Sequence, residues 1–206
     1  MNKAEQCPFV LSISKRIYTQ ALKIVQDLAL VDNLENAGDV YFVGGLALNL
    51  MIKRDIDLII LMDKLCKEEV YNSVDILKRH PRISAMVFRS RLAESDVLNR
   101  RFYVHAGYVD KQNNSWTIDL AFWHKDSWDP GKTRDLCTRL NYLKNNITPK
   151  MRAAILNIKF QLQALQKEGR QNTITGNMIY DAVLHHHVND LKQFLAHRRR
   201  LDRNKH

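Results

Sequence analysis

One stretch decides the fold of this chain: Val43-Gly44-Gly45, then nine residues, then Asp55-Ile56-Asp57-Leu58-Ile59-Ile60-Leu61. The β-prone run 40–43 stops at the glycine pair, and the branched residues after Asp55 predict a second strand. Residues i and i+2 of a strand project from one face, so the carboxylates of Asp55 and Asp57 should be neighbours. Like charges so placed raise each other's pKa unless a cation intervenes, and Mg²⁺ prefers such oxygen ligands.

The glycine pair predicts a phosphate-binding turn. Without side chains, the backbone of Gly44 and Gly45 approaches phosphate oxygens closely and offers them amide groups. Lys53 and Arg54 stand directly before the acid pair and suit the charge of a triphosphate. The alternative for these two cations is a solvated loop that binds nothing.

A third carboxylate is expected on a neighbouring strand. The runs 101–109 and 115–123 flank the polar segment 110–114, which predicts an antiparallel hairpin. Alternation in the second run leaves Asp119 on the face opposite its bulky apolar residues, and Asp is depleted in mid-strand. Three acids would hold two metal ions roughly 3.5–4 Å apart for in-line phosphoryl-type transfer. Asp119 is then a third ligand, or the base that takes the proton of the attacking hydroxyl.

Gly-Gly, a spacer, Asp-x-Asp at the start of a hydrophobic strand, and another Asp on a later strand resemble the DNA polymerase beta-like nucleotidyltransferase superfamily. The run 43–50, VGGLALNL, is similar to its small bacterial members, which include antibiotic adenylyltransferases and the nucleotidyltransferases of toxin–antitoxin systems. The resemblance covers residues 40–123. It implies an α/β (α+β) fold, with a mixed sheet flanked by helices and a carboxy-terminal helical cap.

The resemblance also implies a role for each matching residue. The phosphate-contacting turn is matched by Gly44 and Gly45, the catalytic metal-ligand pair by Asp55 and Asp57, and the third carboxylate by Asp119. Relatives often present a basic side chain from the helical cap to the nucleotide phosphates, and Lys159 matches that position; the alternative is a surface lysine. Many relatives carry Ser where Gly45 stands, so this chain offers only backbone amides there.

The activity implied by the resemblance is transfer of a nucleoside monophosphate. The donor is a nucleoside triphosphate such as ATP, two Mg²⁺ ions assist, and pyrophosphate leaves. The hydroxyl acceptor is either a small molecule such as an aminoglycoside-like antibiotic, or RNA or tRNA. A net charge of +10 favours anionic partners, and half of that excess lies between Lys192 and His206. The rival interpretation is a non-catalytic scaffold that binds RNA or a protein through Arg198-Arg199-Arg200.

The patterning divides the chain near residue 130. Residues 1–130 are expected to form an amino-terminal helix and the catalytic unit, and residues 131–206 a helical domain with a basic tail. We also expect a first helix capped by Ser12 or Ser14 and a loop over 31–39. A short helix is expected over 46–52, a longer one over 64–80, and a further helix capped by Thr148. No apolar run approaches a membrane span, and the polar amino terminus indicates a cytoplasmic protein.

Overall fold

The structure is a computed structural model that describes residues 3–93, 100–126, 130–167 and 174–203. Its helices are α1 (Lys3–Asp27), α2 (Leu30–Glu35), α3 (Gly44–Ala47), α4 (Lys67–Ser73), α5 (Asp75–Arg79), α6 (Pro130–Asn146), α7 (Pro149–Lys167), α8 (Gly176–His186) and α9 (Leu191–Arg203). Its strands are β1 (Asp39–Phe42), β2 (Asp55–Met62), β3 (Ile83–Ser90), β4 (Arg101–Val109) and β5 (Ser115–His124). Within these ranges, no helix is both long and apolar enough to cross a membrane.

The strands described form one mixed sheet in the order β1-β2-β5-β4-β3. Strands β2 and β5 run parallel, while the other neighbours run antiparallel. This register places Asp57 beside Asp119 and Asp119 beside His105. Three polar residues of three adjacent strands therefore lie in one row across the sheet.

The two faces of the sheet differ in how far helices bury them. One face packs against α1, α2, α4 and α5, and its residues are almost fully buried: Ile56, Leu58, Ile60, Phe102, Val104, Ile118, Leu120 and Phe122. The alternate residues, including Asp55, Asp57 and Asp119, project from the opposite face and retain solvent contact. The period-2 alternation thus sorts apolar side chains into the core and leaves the polar row accessible.

A second core lies within the carboxy-terminal helices. Its centre is formed by the buried residues Ile155 and Ile158 of α7 and Phe194 of α9. Leu48, Leu50 and Ile52, from the segment between α3 and β2, pack into the same core. The sheet unit is therefore joined to the helices by the segment that runs from the glycine turn to the acid pair. The boundary near residue 130 stays a prediction.

Several local expectations were wrong, each because tertiary packing outweighs a local signal. Ser12 and Ser14 do not cap α1, because the helix already begins at Lys3, and Ser14 is buried within it at 2% exposure. Burial of Leu30 and Leu34, one helical turn apart, forms α2 where the polar composition predicts a loop.

Two further helices also differ from expectation. The helix expected over 64–80 is two helices, α4 and α5, which break at the buried β-branched Val74 with φ −106° and ψ 13°. The short helix expected over 46–52 is α3, which spans Gly44–Ala47, and the chain then extends to bury Leu50 and Ile52.

Other local expectations are confirmed. The β4–β5 hairpin forms as predicted, and its turn is closed by Asp110, which accepts hydrogen bonds from the backbone of Gln112 and Asn114 and from Trp116 Nε1. Thr148 Oγ1 accepts the backbone N–H of Met151 and caps α7. Short-range capping and turn chemistry therefore operate as the sequence indicates.

Candidate active site

The glycine turn brings backbone against one of the acids. Gly44 follows β1 with φ +63°, a left-handed conformation that L side chains rarely adopt. A Cβ on Gly44 would stand 2.5 Å from Asp57 Oδ2, which is closer than non-bonded atoms approach. Val43 N–H also donates to the backbone oxygen of Asp57 at 3.1 Å. Glycine at position 44 is thus required both by the backbone conformation and by the carboxylate beside it.

The acid pair is partly withdrawn from water. Burial, followed by the charges of Asp55 and Asp119, raises the pKa of Asp57 to about 6, against the opposing effect of Lys159. Burial also raises the pKa of Asp55, against the opposing effect of Lys53. Within the residues described, neither carboxylate has a salt-bridge partner, so the repulsion between them is not relieved by a protein cation in contact.

Lys159 supplies a buried ammonium opposite the acids. Its Nζ donates to the backbone oxygen of Leu50 at 2.5 Å and lies 3.4 Å from the hydroxyl of Tyr180. Burial lowers the pKa of Lys159 to about 8, and Asp55 and Asp57 oppose that shift. An ammonium has three N–H donors, so one remains for a ligand.

These groups line one cavity of about 540 Å³ between the sheet and the helices α6, α7 and α8. The candidate residues in its lining are Gly44, Gly45, Lys53, Asp55, Asp57 and Lys159, and further polar side chains come from the helices and the segment before α8: Arg139, Gln163, Thr175, Asn177 and Tyr180. Its other wall is largely apolar and includes Leu140 and Leu143 of α6, Leu162 of α7 and Ile179 of α8. A polar end and an apolar wall are typical of pockets that bind a small molecule in a fixed orientation.

Asp119 and Arg54 lie outside the cavity lining. Asp119 shares the face of Asp57, and its Oδ1 stands 2.6 Å from His105 Nδ1. No three His, Cys, Asp or Glu side chains of the described residues are close enough together to hold one metal ion. The backbone carbonyl of Arg54 accepts a hydrogen bond from the backbone N–H of Thr117. The Nε of Arg54 is buried and has no hydrogen-bond partner among the described residues. The structure therefore brings six of the eight candidate residues to one cavity.

Sequence reasoning missed two polar neighbours of the site. Tyr180 falls on an apolar helical stripe and is indistinguishable there from a core residue; burial, followed by Asp57, raises the pKa of its hydroxyl to about 12. His105 looks like an ordinary strand histidine. A signal for it does exist: a hairpin centred on the turn 110–114 pairs residue 105 with residue 119.

Comparison with known proteins places the fold. No protein-family model matches the chain, and no curated protein matches its sequence. Among solved structures, it is similar to one described as a cytoplasmic RNA terminal U-transferase, with a TM-score of 0.51 and 15% identity. The match covers 79% of this chain and 48% of the other, so this chain spans about half the length of that structure. The likeness confirms the expected fold class: the chain has a nucleotidyltransferase fold, with a mixed sheet flanked by helices.

Proposed function

We propose that this protein is a metal-dependent nucleotidyltransferase that moves a nucleoside monophosphate from a nucleoside triphosphate to a hydroxyl acceptor. One observation carries the proposal: a side-chain-free turn, two unneutralised carboxylates and a buried ammonium line a single cavity. Backbone amides and an ammonium suit phosphate oxygens, whereas the carboxylates suit a cation that accompanies them. The fold likeness agrees with this activity.

The acid pair fits a hard divalent cation. Asp55 and Asp57 offer oxygen ligands from one strand face, and burial raises the pKa of both, so a bound cation would stabilise their charged forms. When bound, Mg²⁺ would neutralise the negative charge of the polyphosphate during transfer. Asp119 would be a further oxygen ligand. Its Oδ1 contacts His105, which leaves Oδ2 for the cation.

The reaction is a single displacement at phosphorus. The acceptor oxygen bonds to the α-phosphorus, the α–β phosphoanhydride bond breaks, and pyrophosphate leaves. Gly44, Gly45 and Lys159 hold the phosphates, and Lys53 adds positive charge at the mouth of the cavity. Asp119, half-exposed beside Asp57, receives the acceptor proton in this account.

The second candidate is a non-catalytic scaffold with the same fold. It is favoured by the contact of Asp119 with His105 and by the absence of a three-carboxylate cluster among the described residues. A scaffold would keep the cavity without needing metal-dependent nucleotide binding. The two candidates therefore differ in one property that can be measured.

Calorimetric titration separates them. We expect at least one of ATP, GTP, CTP and UTP to bind in the presence of Mg²⁺, and to bind far more weakly without it or to the variant Asp55→Asn/Asp57→Asn. The exposed pair Asp63→Asn/Asp126→Asn, outside the cavity lining, is the matched control and should bind as the wild type does. Absence of binding to all four nucleotides would favour the scaffold.

Lys159 gives a pH dependence of known sign. Because the pKa of Lys159 in the free protein is about 8, its ammonium loses its proton as the pH rises from 8 to 9.5. A triphosphate binds the charged form better, so we expect its affinity to fall by up to about tenfold per pH unit in that window. Lys159→Met should bind weakly and without this slope, whereas Lys64→Met, outside the cavity lining, should behave as the wild type. A flat wild-type profile contradicts the assignment of Lys159 to the phosphates.

A further inference from the structure

The sheet face that bears Asp119 continues beyond the cavity lining onto β4 and β3, where His105, Val87 and Arg89 are exposed. On β4 and β5, residues that alternate with the core retain solvent contact, although both are interior strands. Next to them on β3, Val87 is 45% exposed and Arg89 is exposed. Antiparallel strands commonly keep one solvated face, so exposure alone does not identify a binding surface, and the composition of this face decides what it can bind.

The composition of this open face changes along the strands. In the row of Asp119 lie His105 and Val87; the next row holds Ala121, Tyr103 and Arg89. The third row holds Trp123 and Arg101. Beside it, the backbone N–H of Arg91 donates to the backbone oxygen of Arg101 at 2.9 Å. The acids are thus at one end and an aromatic and arginine-rich patch at the other. We name Arg89, Arg91, Arg101, Tyr103 and Trp123 the aromatic–arginine patch.

The patch is organised before any ligand arrives. The guanidinium carbon of Arg101 lies 5.1 Å from the ring centre of Trp123 and 5.6 Å from that of Tyr103. Such cation–π contacts hold the rings and the charge in fixed relation. Among the residues that the structure describes, no acid forms a salt bridge with Arg89, Arg91 or Arg101.

The spacing of the rows connects the patch to the reacting end. Strand residues two apart are about 6.6 Å apart along the strand, so Tyr103 lies one such step from Asp119 and Trp123 lies two. Ala121 lies between Asp119 and Trp123 with a short side chain, which leaves room above the sheet there. A chain that crosses the patch would therefore deliver its end to Asp119 and Asp57.

Charge and shape select the occupant. Three arginines repel a polycationic acceptor such as an aminoglycoside, and an open face encloses no small molecule. A single-stranded nucleic acid offers phosphates to the arginines and unpaired bases to the rings, which is how such strands are bound elsewhere. We propose that the aromatic–arginine patch binds the single-stranded end of a nucleic-acid acceptor and leads its terminal hydroxyl to Asp119. This inference rests on the nucleotidyl transfer proposed above.

The test measures binding of eight-residue single strands, oligo(U) RNA and oligo(dT) DNA, to the full chain by fluorescence anisotropy. Arg89→Glu/Arg91→Glu should weaken binding at least tenfold and reduce the slope of log affinity against log salt by about 1.4. Tyr103→Leu should weaken it about tenfold through lost stacking, with an unchanged thermal midpoint. Lys23→Glu/Lys111→Glu, at the β4–β5 turn on the other end of the sheet, reverses the same number of charges and should bind as the wild type does.

Each outcome decides between the claims. Equal binding by the wild type and the patch variants overturns the inference, as does a loss confined to Arg199→Glu/Arg200→Glu in α9. Nucleotide titration of the same variants keeps the two proposals apart: if nucleotide binding persists while patch mutations leave oligonucleotide binding intact, only the acceptor inference fails. If the patch binds single strands but the wild type binds no nucleotide, both the proposed nucleotidyl transfer and the proposed acceptor role of the strand are wrong. Preference for RNA over DNA would identify the acceptor type.

Discussion

Replacement of Asp57 by Asn is expected to reduce nucleotidyl transfer by roughly 10³-fold or more, about 4 kcal/mol of transition-state stabilisation. Asn keeps the size of the side chain but removes the negative charge that a divalent cation requires. The measurement is transfer of label from an α-labelled nucleoside triphosphate to the single-strand acceptor. Asp63→Asn removes a carboxylate just beyond the same strand, where Asp63 pairs with Lys125, and should retain activity.

The same substitution should stabilise the fold at neutral pH. The pKa of Asp57 is about 6 in the folded chain against an ordinary 3.8, so the folded state binds more protons between these values. Its stability therefore falls as the pH rises through that window, and above it the buried charge costs on the order of 1–2 kcal/mol after allowance for solvent screening. Asp57→Asn should be more stable than the wild type at pH 7.5, with the gain vanishing near pH 4. Full activity, or lower stability at pH 7.5, would count against the assignment.

Gly44→Ala is expected to disable the site and to destabilise the chain. A side chain at φ +63° costs about 1–2 kcal/mol, and the new Cβ would stand 2.5 Å from Asp57 Oδ2, forcing the carboxylate aside. Transfer should fall by about 10²-fold or more, and chemical denaturation should show the lost stability. Gly45→Ala is milder, because its Cβ would approach Leu50 O at 3.2 Å and Lys159 Nζ at 3.5 Å.

A double-mutant cycle separates the two causes. In an Asp57→Ala background the clash is absent and only the backbone conformation is unfavourable, so Gly44→Ala should destabilise less than it does in the wild type. Equal destabilisation in both backgrounds would show that the contact with Asp57 has no energetic consequence.

The strands were predictable because their signals are local. Strand alternation repeats every second residue, so the two faces of β5 follow from the sequence, with Asp119 on the face opposite the bulky apolar residues; that this face keeps solvent contact is seen only in the structure. The hairpin turn was also predictable, because Asp110 closes it with bonds to residues two to six positions away. The same locality places Asp55 and Asp57 together.

Other features depend on residues far apart in the chain. Lys159 reaches the site only because α7 packs on the segment that carries Leu50, which its Nζ contacts 109 positions away. Its placement came from resemblance rather than from spacing. Arg54 and Lys53 are indistinguishable as sequence neighbours, yet only Lys53 lines the cavity, while the backbone of Arg54 pairs with Thr117 of β5. Tyr180 carried no signal, since a buried hydroxyl and a core ring look alike on a helical stripe.

Nucleotide and metal binding in the cavity is tested most directly by a crystal structure of the full chain with Mg²⁺ and a nucleoside triphosphate analogue that cannot be cleaved between the α- and β-phosphates. We expect phosphate oxygens against the backbone of Gly44 and Gly45 and near Lys159 Nζ, with the cation bound by Asp55 and Asp57. A nucleotide bound elsewhere, or an ordered nucleotide in this cavity without a cation on these two carboxylates, would contradict this expectation.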